Sequence, residues 1–248
     1  MTTALLDDPI ALGLDTLWRD GFLLIPQALS AADTQLIRGR IMHARHCGWQ
    51  DGLNDEGNMW FDSLLERDPA HFSRLVGQER VRPYLEALFG RQCQLRSMRA
   101  HINPGVYGQT WHLDFISYWQ ERRRLQGHPL AVPASGVNTT FYFDQHAPKR
   151  AGLSFVTGSH RTQPPHTDPP DLPAIHAWAE TQPCTTIYPG AGDCVLFLSH
   201  IVHRGIKRDQ ALQRSNVVCH YQGCAMHEGI WHVAQPCAYP GAFPFTRA

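Results

Sequence analysis

The feature that most constrains the fold is a series of short segments with strand character, which starts near residue 92. Many short strands separated by Gly and Pro turns are typical of a β-sandwich or barrel rather than of a parallel sheet. The sequence therefore predicts a mainly β (α+β) fold. The predicted strands lie near 93–103, 109–117, 136–144, 152–157, 184–188, 193–200 and 214–222.

The first ninety residues have a different pattern, which predicts helices with one inserted strand. Apolar residues recur at helical spacing in "DPIALGLDTLWRD", and "GFLLIP" is a short buried strand that ends at Pro26. Ser30 followed by Asp33 resembles a helix N-cap, so a helix is expected in "AADTQLIRGRIMHAR". Two more helices are predicted in "DPAHFSRLV" and "ERVRPYLEALFG", the second ending at Gly90.

Composition argues against several classes of protein. The chain has 248 residues and carries 22 Lys plus Arg against 22 Asp plus Glu, so no net field favours nucleic acid or an anionic membrane. No apolar run approaches the roughly 20 residues of a spanning helix, and the start does not resemble a signal peptide. The 7 cysteines are odd in number and form no Cys-x-x-Cys, which favours reduced thiols over a disulfide framework. We expect a cytoplasmic monomer or homodimer without nucleic-acid or membrane partners.

The stretch "GQTWHLDF" places a histidine and a carboxylate on a segment of strand character. His112 and Asp114 are two residues apart, so their side chains would point to the same face of an extended strand. In an interior each group needs a partner, and one metal ion would satisfy both. A second such pair, His166 and Asp168 in "PPHTDPP", is predicted to be a solvent loop because prolines cannot hold a central strand ladder.

A second segment, "GDCVLFLSHIVHRGIKRDQALQRSNVVCHY", supplies two more histidines and an arginine. Two histidines and one carboxylate form the facial triad of non-haem Fe(II) oxygenases. Either His200 or His203 can be the distal histidine; the "HRG" context and the eleven-residue step to Arg214 favour His203. Arg214 would return on a neighbouring strand, where its guanidinium fork suits a carboxylate.

With these motifs the chain resembles the phytanoyl-CoA dioxygenase family of Fe(II)/2-oxoglutarate-dependent oxygenases, which has ectoine hydroxylase-like members. The matching motifs, from about residue 95 to 222, are "WHLDF", "AGLSFVTGSHR", "GDCVLF", "HRG" and Arg214. The resemblance implies a double-stranded β-helix, or jelly roll. We therefore expect a single domain with a helical part (1–91), a jelly-roll core (92–222) and a C-terminal tail (223–248).

The resemblance also implies roles for individual residues. Three would bind Fe(II), one would hold the distal carboxylate of 2-oxoglutarate, and inward side chains of two strands would help to bind that co-substrate. Others would contact the substrate. The residues are His112, Asp114 and His203 for iron; Arg214, Thr140, Asn138 and Arg99 for 2-oxoglutarate; and Tyr118, Gln109 and Trp60 for the substrate.

The chain departs from the family pattern in two places, and one of the candidate residues needs an irregular strand. The family usually has Asn-Gly before the "GSH" strand, where this chain has "KRAGL". Gly205 stands two residues after His203, where the family usually has Ser, so one hydroxyl contact to 2-oxoglutarate is absent. Gln109 shares a face with Trp111 and not with His112, so a role beside the metal needs a bulge or bend. Asp114 is not Gly or Ala, which disfavours a halogenase.

The resemblance implies an enzyme that hydroxylates or otherwise oxidises an unactivated C–H bond. Its cofactors would be Fe(II), 2-oxoglutarate and O2, with ascorbate as in vitro reductant, and it would release succinate and CO2. The expected substrate is a small or medium soluble metabolite, such as an amino-acid derivative or natural-product intermediate; acyl-CoA or a carrier-bound acyl chain is the alternative. A zinc hydrolase and a non-catalytic metal-binding jelly roll are the competing classes. The proline-rich segments 119–136 and 161–183 are predicted lids or rim loops.

Overall fold

The computed structural model describes residues 8–89, 93–114, 136–145, 149–162, 172–208 and 213–223. Its helices are α1 (Pro9–Asp20), α2 (Ala31–His46), α3 (Leu64–Arg67), α4 (Pro69–Phe72), α5 (Arg82–Phe89) and α6 (Leu172–Ala179), with a 3-10 turn at Ser73–Leu75. The strands of the N-terminal part are β1 (Phe22–Ile25), β2 (Gly52–Leu53) and β3 (Met59–Phe61). The remaining strands are β4 (Cys93–Asn103), β5 (Tyr107–Gly108), β6 (Val137–Tyr142), β7 (Ala151–Val156), β8 (Cys184–Ile187), β9 (Cys194–Leu198), β10 (His203–Lys207) and β11 (Arg214–Gly223).

The strands form two antiparallel sheets. The larger sheet has the order β1-β9-β6-β11-β4-β3-β2, and the smaller sheet has the order β5-β10-β7-β8. Inward side chains of both sheets line one cavity, for example Val218 on β11 of the larger sheet and Leu153 on β7 of the smaller one. The two sheets therefore face each other, as the predicted jelly roll requires.

Alternation along the strands separates the cavity from the core. On β11, Val218 lines the cavity, whereas Val217 and Cys219 pack into the largest hydrophobic cluster. That cluster lies between the outer face of the larger sheet and the helices, and it includes Leu17 of α1 and Ile37 of α2. The helical part thus covers one face of the larger sheet and leaves the other face for the cavity.

Two smaller clusters complete the core. Phe155, Phe197 and Tyr142 pack between the two sheets, and the ring of Phe155 stacks on Phe22 with centroids 4.3 Å apart. A third cluster lies beneath α6, where Ile175 of that helix and Trp111 are both buried. This third cluster anchors the segment that contains "GQTWHLDF".

The structure confirms most predicted elements. The Ser30 Oγ accepts the Asp33 N–H at 3.0 Å and starts α2, as the N-cap pattern predicts. The prediction of one strand in the first ninety residues is wrong, because β2 and β3 extend the larger sheet beside β4. Residues 203–207, for which no strand was predicted, form strand β10. Residues 109–114 form an isolated bridge at His112 instead of the predicted continuous strand.

Several predictions concern residues that the structure does not describe. These include Gly90, the pair His166 and Asp168, and almost all of the predicted lid 119–136. The second predicted lid, 161–183, contains helix α6, so it is not a plain loop. In the described part of the chain, no helix has both the length and the apolar character needed to cross a bilayer.

Candidate metal centre

A bulge turns the segment after β5 so that His112 faces the cavity. Gly108 pairs with Ile206 on β10, but His112 pairs with His203, so one extra residue lies on the side of β5. As a result Gln109 and His112 both line the cavity, while Trp111 between them is buried in the third cluster. This is the irregularity that a role for Gln109 beside the metal requires.

His112, Asp114 and His203 converge at the inner surface of the smaller sheet. Their ligand atoms all lie within 4.8 Å of one another. The Asp114 carboxylate is 3.6 Å from Nε2 of His112 and 3.4 Å from Nε2 of His203. One ion bonded to all three at about 2.1 Å needs them roughly 3 Å apart, so a small movement would complete the site.

The two histidines are held in the tautomer that a metal requires. Nδ1 of His112 donates to the carbonyl of Thr110 at 2.8 Å, and Nδ1 of His203 donates to the carbonyl of Ile201 at 3.0 Å. Each Nε2 therefore points its lone pair toward Asp114 and can bind a cation. Two imidazoles and one carboxylate on one side of an ion fit Fe(II) and leave positions for other ligands.

The charges of the three groups support cation binding. Burial alone would raise the pKa of Asp114, but the charge and hydrogen bond of His203 hold it well below the usual value. Burial opposes protonation of His203, yet the Asp114 carboxylate raises its pKa above normal. Burial lowers the pKa of His112, with a further lowering by His203. The Asp114 carboxylate thus stays ionised and favours a proton on His203. A bound metal ion would take the place of that proton.

Asn138 positions the Asp114 carboxylate from β6. Its side-chain amide donates to Oδ2 of Asp114, and its own Oδ1 accepts the Ser199 hydroxyl at 3.0 Å. Asn138 is fully buried and does not line the cavity. Its position therefore favours orientation of a metal ligand over direct contact with 2-oxoglutarate, which remains a prediction for this residue.

We expect Asn138→Ala to weaken metal binding without removing a ligand. Loss of a hydrogen bond that orients a ligand costs about 10–100-fold in metal affinity. Calorimetric titration of Fe(II) without oxygen measures this change. Asn216→Ala is the matched control, because Asn216 lines the same cavity and bonds His101 at 3.1 Å. Equal affinities of wild type and Asn138→Ala would refute the positioning role.

Arg214 starts β11 at the other end of the cavity. It is buried, and its guanidinium carbon lies 5.6 Å and 5.4 Å from the ring centroids of Tyr107 and Tyr142. Its Nη1 donates to Oδ1 of Asn103 at 2.9 Å. Burial raises the pKa of Tyr107 to about 12 and raises that of Tyr142, so both phenols are neutral and add no counter-charge.

Neighbouring side chains occupy the space beside Gly205, where the family usually has a Ser side chain. The Gly205 N–H donates to Oε1 of Gln109 at 2.9 Å. A Cβ at this position would lie 2.9 Å from that oxygen and 3.0 Å from Cε1 of Tyr107, so a side chain here would require both neighbours to shift. Gln109 and Tyr107 therefore occupy the space beside Arg214 where the family's Ser side chain is expected.

A second bulge brings Arg96 into the cavity, a residue that was not among the predicted site residues. On β4, Ser97 pairs with His220, but Leu95 pairs with Tyr221, so Arg96 is an extra residue. Arg96 and Ser97 both line the cavity, while Leu95 packs in the core. Simple alternation places Arg96 on the opposite face, and no local sequence signal marks the bulge.

Of the other candidate residues, some line the cavity and some do not. Thr140 and Arg99 line the cavity, and Arg99 forms an ion pair with Asp62 at 2.5 Å and 3.0 Å. Trp60 lies on β3 opposite His101 and is not among the lining residues, so its substrate contact remains a prediction. Tyr118 lies outside the described residues. The cavity has a volume of about 340 Å³ and is lined by Arg96, Ser97, Arg99, His101, Tyr107, Gln109, His112, Asp114, Thr140, Leu153, Phe197, His203, Arg214, Asn216, Val218 and His220.

The alternative distal ligand, His200, lies elsewhere. It is buried, its ring is 6.1 Å from that of His160, and it belongs neither to the triad nor to the cavity lining. Burial lowers the pKa of His200 to about 3, so it is neutral. The geometry therefore favours His203.

Comparison with known proteins places these features in a family. Ectoine dioxygenase of Stutzerimonas stutzeri (strain A1501) is 24% identical over 151 residues, which cover 58% of this chain and 48% of the relative; the match thus spans about half of that protein's length. The epimerase SnoN in complex with Fe3+, α-ketoglutarate and nogalamycin RO superposes with a TM-score of 0.69 at 18% identity, over 87% of this chain and 85% of SnoN. EctD from S. alaskensis with 2-oxoglutarate and 5-hydroxyectoine gives a TM-score of 0.66 at 17% identity, over 87% and 76%. The family model for phytanoyl-CoA dioxygenase (PhyH) matches residues 17–207, and the chain belongs to this family.

Proposed function

We propose that this protein is an Fe(II)/2-oxoglutarate-dependent dioxygenase that oxidises an unactivated C–H bond of a small or medium metabolite. The observation that carries the proposal is a complete His112, Asp114 and His203 triad in the same cavity as the buried Arg214. Solved relatives with this fold contain Fe3+ with α-ketoglutarate, or 2-oxoglutarate with 5-hydroxyectoine. An amino-acid derivative or natural-product intermediate is the substrate class we favour.

The residues divide the work between the metal and the co-substrate. Bound iron would supply the redox chemistry that couples decarboxylation of 2-oxoglutarate to C–H oxidation. His112, Asp114 and His203 would hold it from one side, and Asn138 would keep the carboxylate oriented. Arg214 would fix the distal carboxylate of 2-oxoglutarate with two parallel N–H groups.

The surroundings of Arg214 suit this role. Tyr107 and Tyr142 pack against its guanidinium, and Asn103 fixes one of its nitrogens, so the fork is already ordered before the co-substrate arrives. Thr140 lies on the inner face of β6 between this end and the triad. We propose that Thr140 and Arg99 complete the polar contacts to 2-oxoglutarate, and the substrate contact expected of Gln109 stays a prediction.

The competing hydrolase hypothesis receives less support from the same cavity. A zinc hydrolase needs a base beside the metal, and Asp114 is the one carboxylate among the cavity-lining residues that the structure describes. The hydrolase hypothesis also assigns no role to the buried Arg214.

Three other expectations stay predictions: acyl-CoA or carrier-bound acyl substrates, a cytoplasmic location, and a monomeric or dimeric state.

The proposal is tested by succinate release. Purified protein with Fe(II), ascorbate, O2 and 2-oxoglutarate is expected to form succinate slowly, and faster when a panel of amino-acid derivatives includes a substrate. Mass spectrometry of the reaction should then show a product heavier by one oxygen atom, or lighter by two hydrogens. Absence of succinate above the level of a metal-free control, with every compound of the panel, would refute the dioxygenase.

A further inference from the structure

We propose that the substrate carries a carboxylate and that Arg96 binds it, at the end of the cavity opposite Arg214. This inference rests on the proposed function, because it names the substrate class of the same site. It makes Arg96 a determinant of substrate choice that is separate from the metal and from the 2-oxoglutarate contacts.

The two arginines lie at opposite ends of one wall. Along β11 the cavity is lined by Arg214, Asn216, Val218 and His220, which span six residues or roughly 20 Å. Arg214 starts this row, and Arg96 lies beside its other end because the β4 bulge falls opposite His220. One ligand carboxylate cannot reach both guanidinium groups, so each end has its own anion-binding group.

The metal site lies close to the Arg96 end. His220 on β11 pairs with Asn138 on one side and with Ser97 on the other, and Asn138 donates to Asp114. The backbones of Asn138, which holds Asp114, and of Ser97, which follows Arg96, are therefore two strand spacings or roughly 10 Å apart. An anion on the long Arg96 side chain would leave a carbon a few bonds away within reach of the metal.

The charges of the described lining residues also favour an anionic substrate. Among the described residues that line the cavity are three guanidinium groups and one carboxylate, that of Asp114, whose charge also acts on Arg96. Asp62 balances Arg99, and the two charges of 2-oxoglutarate would face Arg214 and the metal. Arg96 is 4% exposed, and a cation in such a place gains most from a charged ligand. A guanidinium has five N–H groups, so Arg96 can keep a protein contact and still bind a carboxylate.

The remaining wall predicts the rest of the molecule. Val218, Leu153 and Phe197 give the cavity an apolar surface between its polar ends. Burial lowers the pKa values of His101 and His220 to about 4, so both line the cavity as neutral imidazoles. The substrate is therefore expected to join a carboxylate to a short apolar body, as an N-acylated aliphatic amino acid does.

The test compares matched carboxylic acids and carboxamides. Protein loaded with Ni(II) and 2-oxoglutarate, which cannot turn over, is titrated with pairs such as N-acetylvaline and N-acetylvalinamide, and binding is measured by ligand-observed NMR. In wild type we expect at least one acid to bind about 10–100-fold more tightly than its amide, the range for a hydrogen bond to a charged group. Arg96→Gln should reduce this ratio to about threefold or less, and Arg96→Lys should retain part of it.

Arg74→Gln is the matched control, because Arg74 pairs with Asp33 on the surface and lies outside the cavity lining. It should keep the full acid preference. No acid preference in wild type, or one that persists in Arg96→Gln, would overturn the inference and leave the dioxygenase proposal intact. Failure of wild type to bind 2-oxoglutarate with Ni(II) would overturn both. If Arg96→Gln fails to fold, an acid preference in Arg96→Lys equal to that of wild type would also overturn the inference.

Discussion

Asp114→Asn is expected to abolish succinate formation and to weaken Fe(II) binding by more than about 100-fold. The substitution keeps the size of the side chain but removes the charge that faces both imidazoles at 3.6 Å and 3.4 Å. Loss of a direct ligand must cost more than the 10–100-fold that is typical of its hydrogen-bonding partners. Calorimetry of Fe(II) without oxygen and a succinate assay measure the two effects.

The histidines supply the matched pair for this test. His203→Ala should reproduce the loss, because its Nε2 is one of the three converging ligand atoms. His200→Ala should keep Fe(II) affinity within about threefold, since His200 contacts His160 and lies outside the cavity lining. Full activity of Asp114→Asn, or equal losses in the two histidine variants with both proteins folded, would contradict the assigned triad.

Much of the fold could be predicted because its signals are local. The Ser30 N-cap and the strand predicted near 214–222 depend on short windows of sequence, and the structure contains both. Helix α6 was missed because prolines on both sides suggested a loop. Its buried residue Ile175 packs in the cluster that includes Trp111, a contact between distant segments that no window contains.

The site was predictable only where alternation holds. His112 and Asp114 keep the same face because they are two residues apart. One bulge brings Arg96 into the cavity, and the other puts His112 on the same side as Gln109. A bulge depends on the register with the partner strand, which is set by tertiary pairing. Both bulges therefore change which side chains line the cavity, and the position of neither can be deduced from the sequence alone.

The surroundings of Arg214 are compatible with the proposed role of holding a carboxylate. It is buried, it is packed against two neutral tyrosines, and it donates a hydrogen bond to the side-chain oxygen of Asn103 at 2.9 Å. A guanidinium buried in such surroundings gains more from a charged partner than an exposed one does. The distal carboxylate of 2-oxoglutarate would supply that partner.

Arg214→Gln is therefore expected to raise the KM for 2-oxoglutarate by about 10²- to 10³-fold, because removal of one partner of a buried charge pair costs about 2–5 kcal/mol. Turnover at saturating 2-oxoglutarate should fall much less, since the triad is intact. Arg214→Lys keeps the charge but not the two-pronged geometry and should raise KM by about tenfold. Arg74→Gln, on the surface, should leave KM unchanged. Steady-state succinate assays over a range of 2-oxoglutarate concentrations separate these cases. An unchanged KM in Arg214→Gln would mean that another group binds the distal carboxylate.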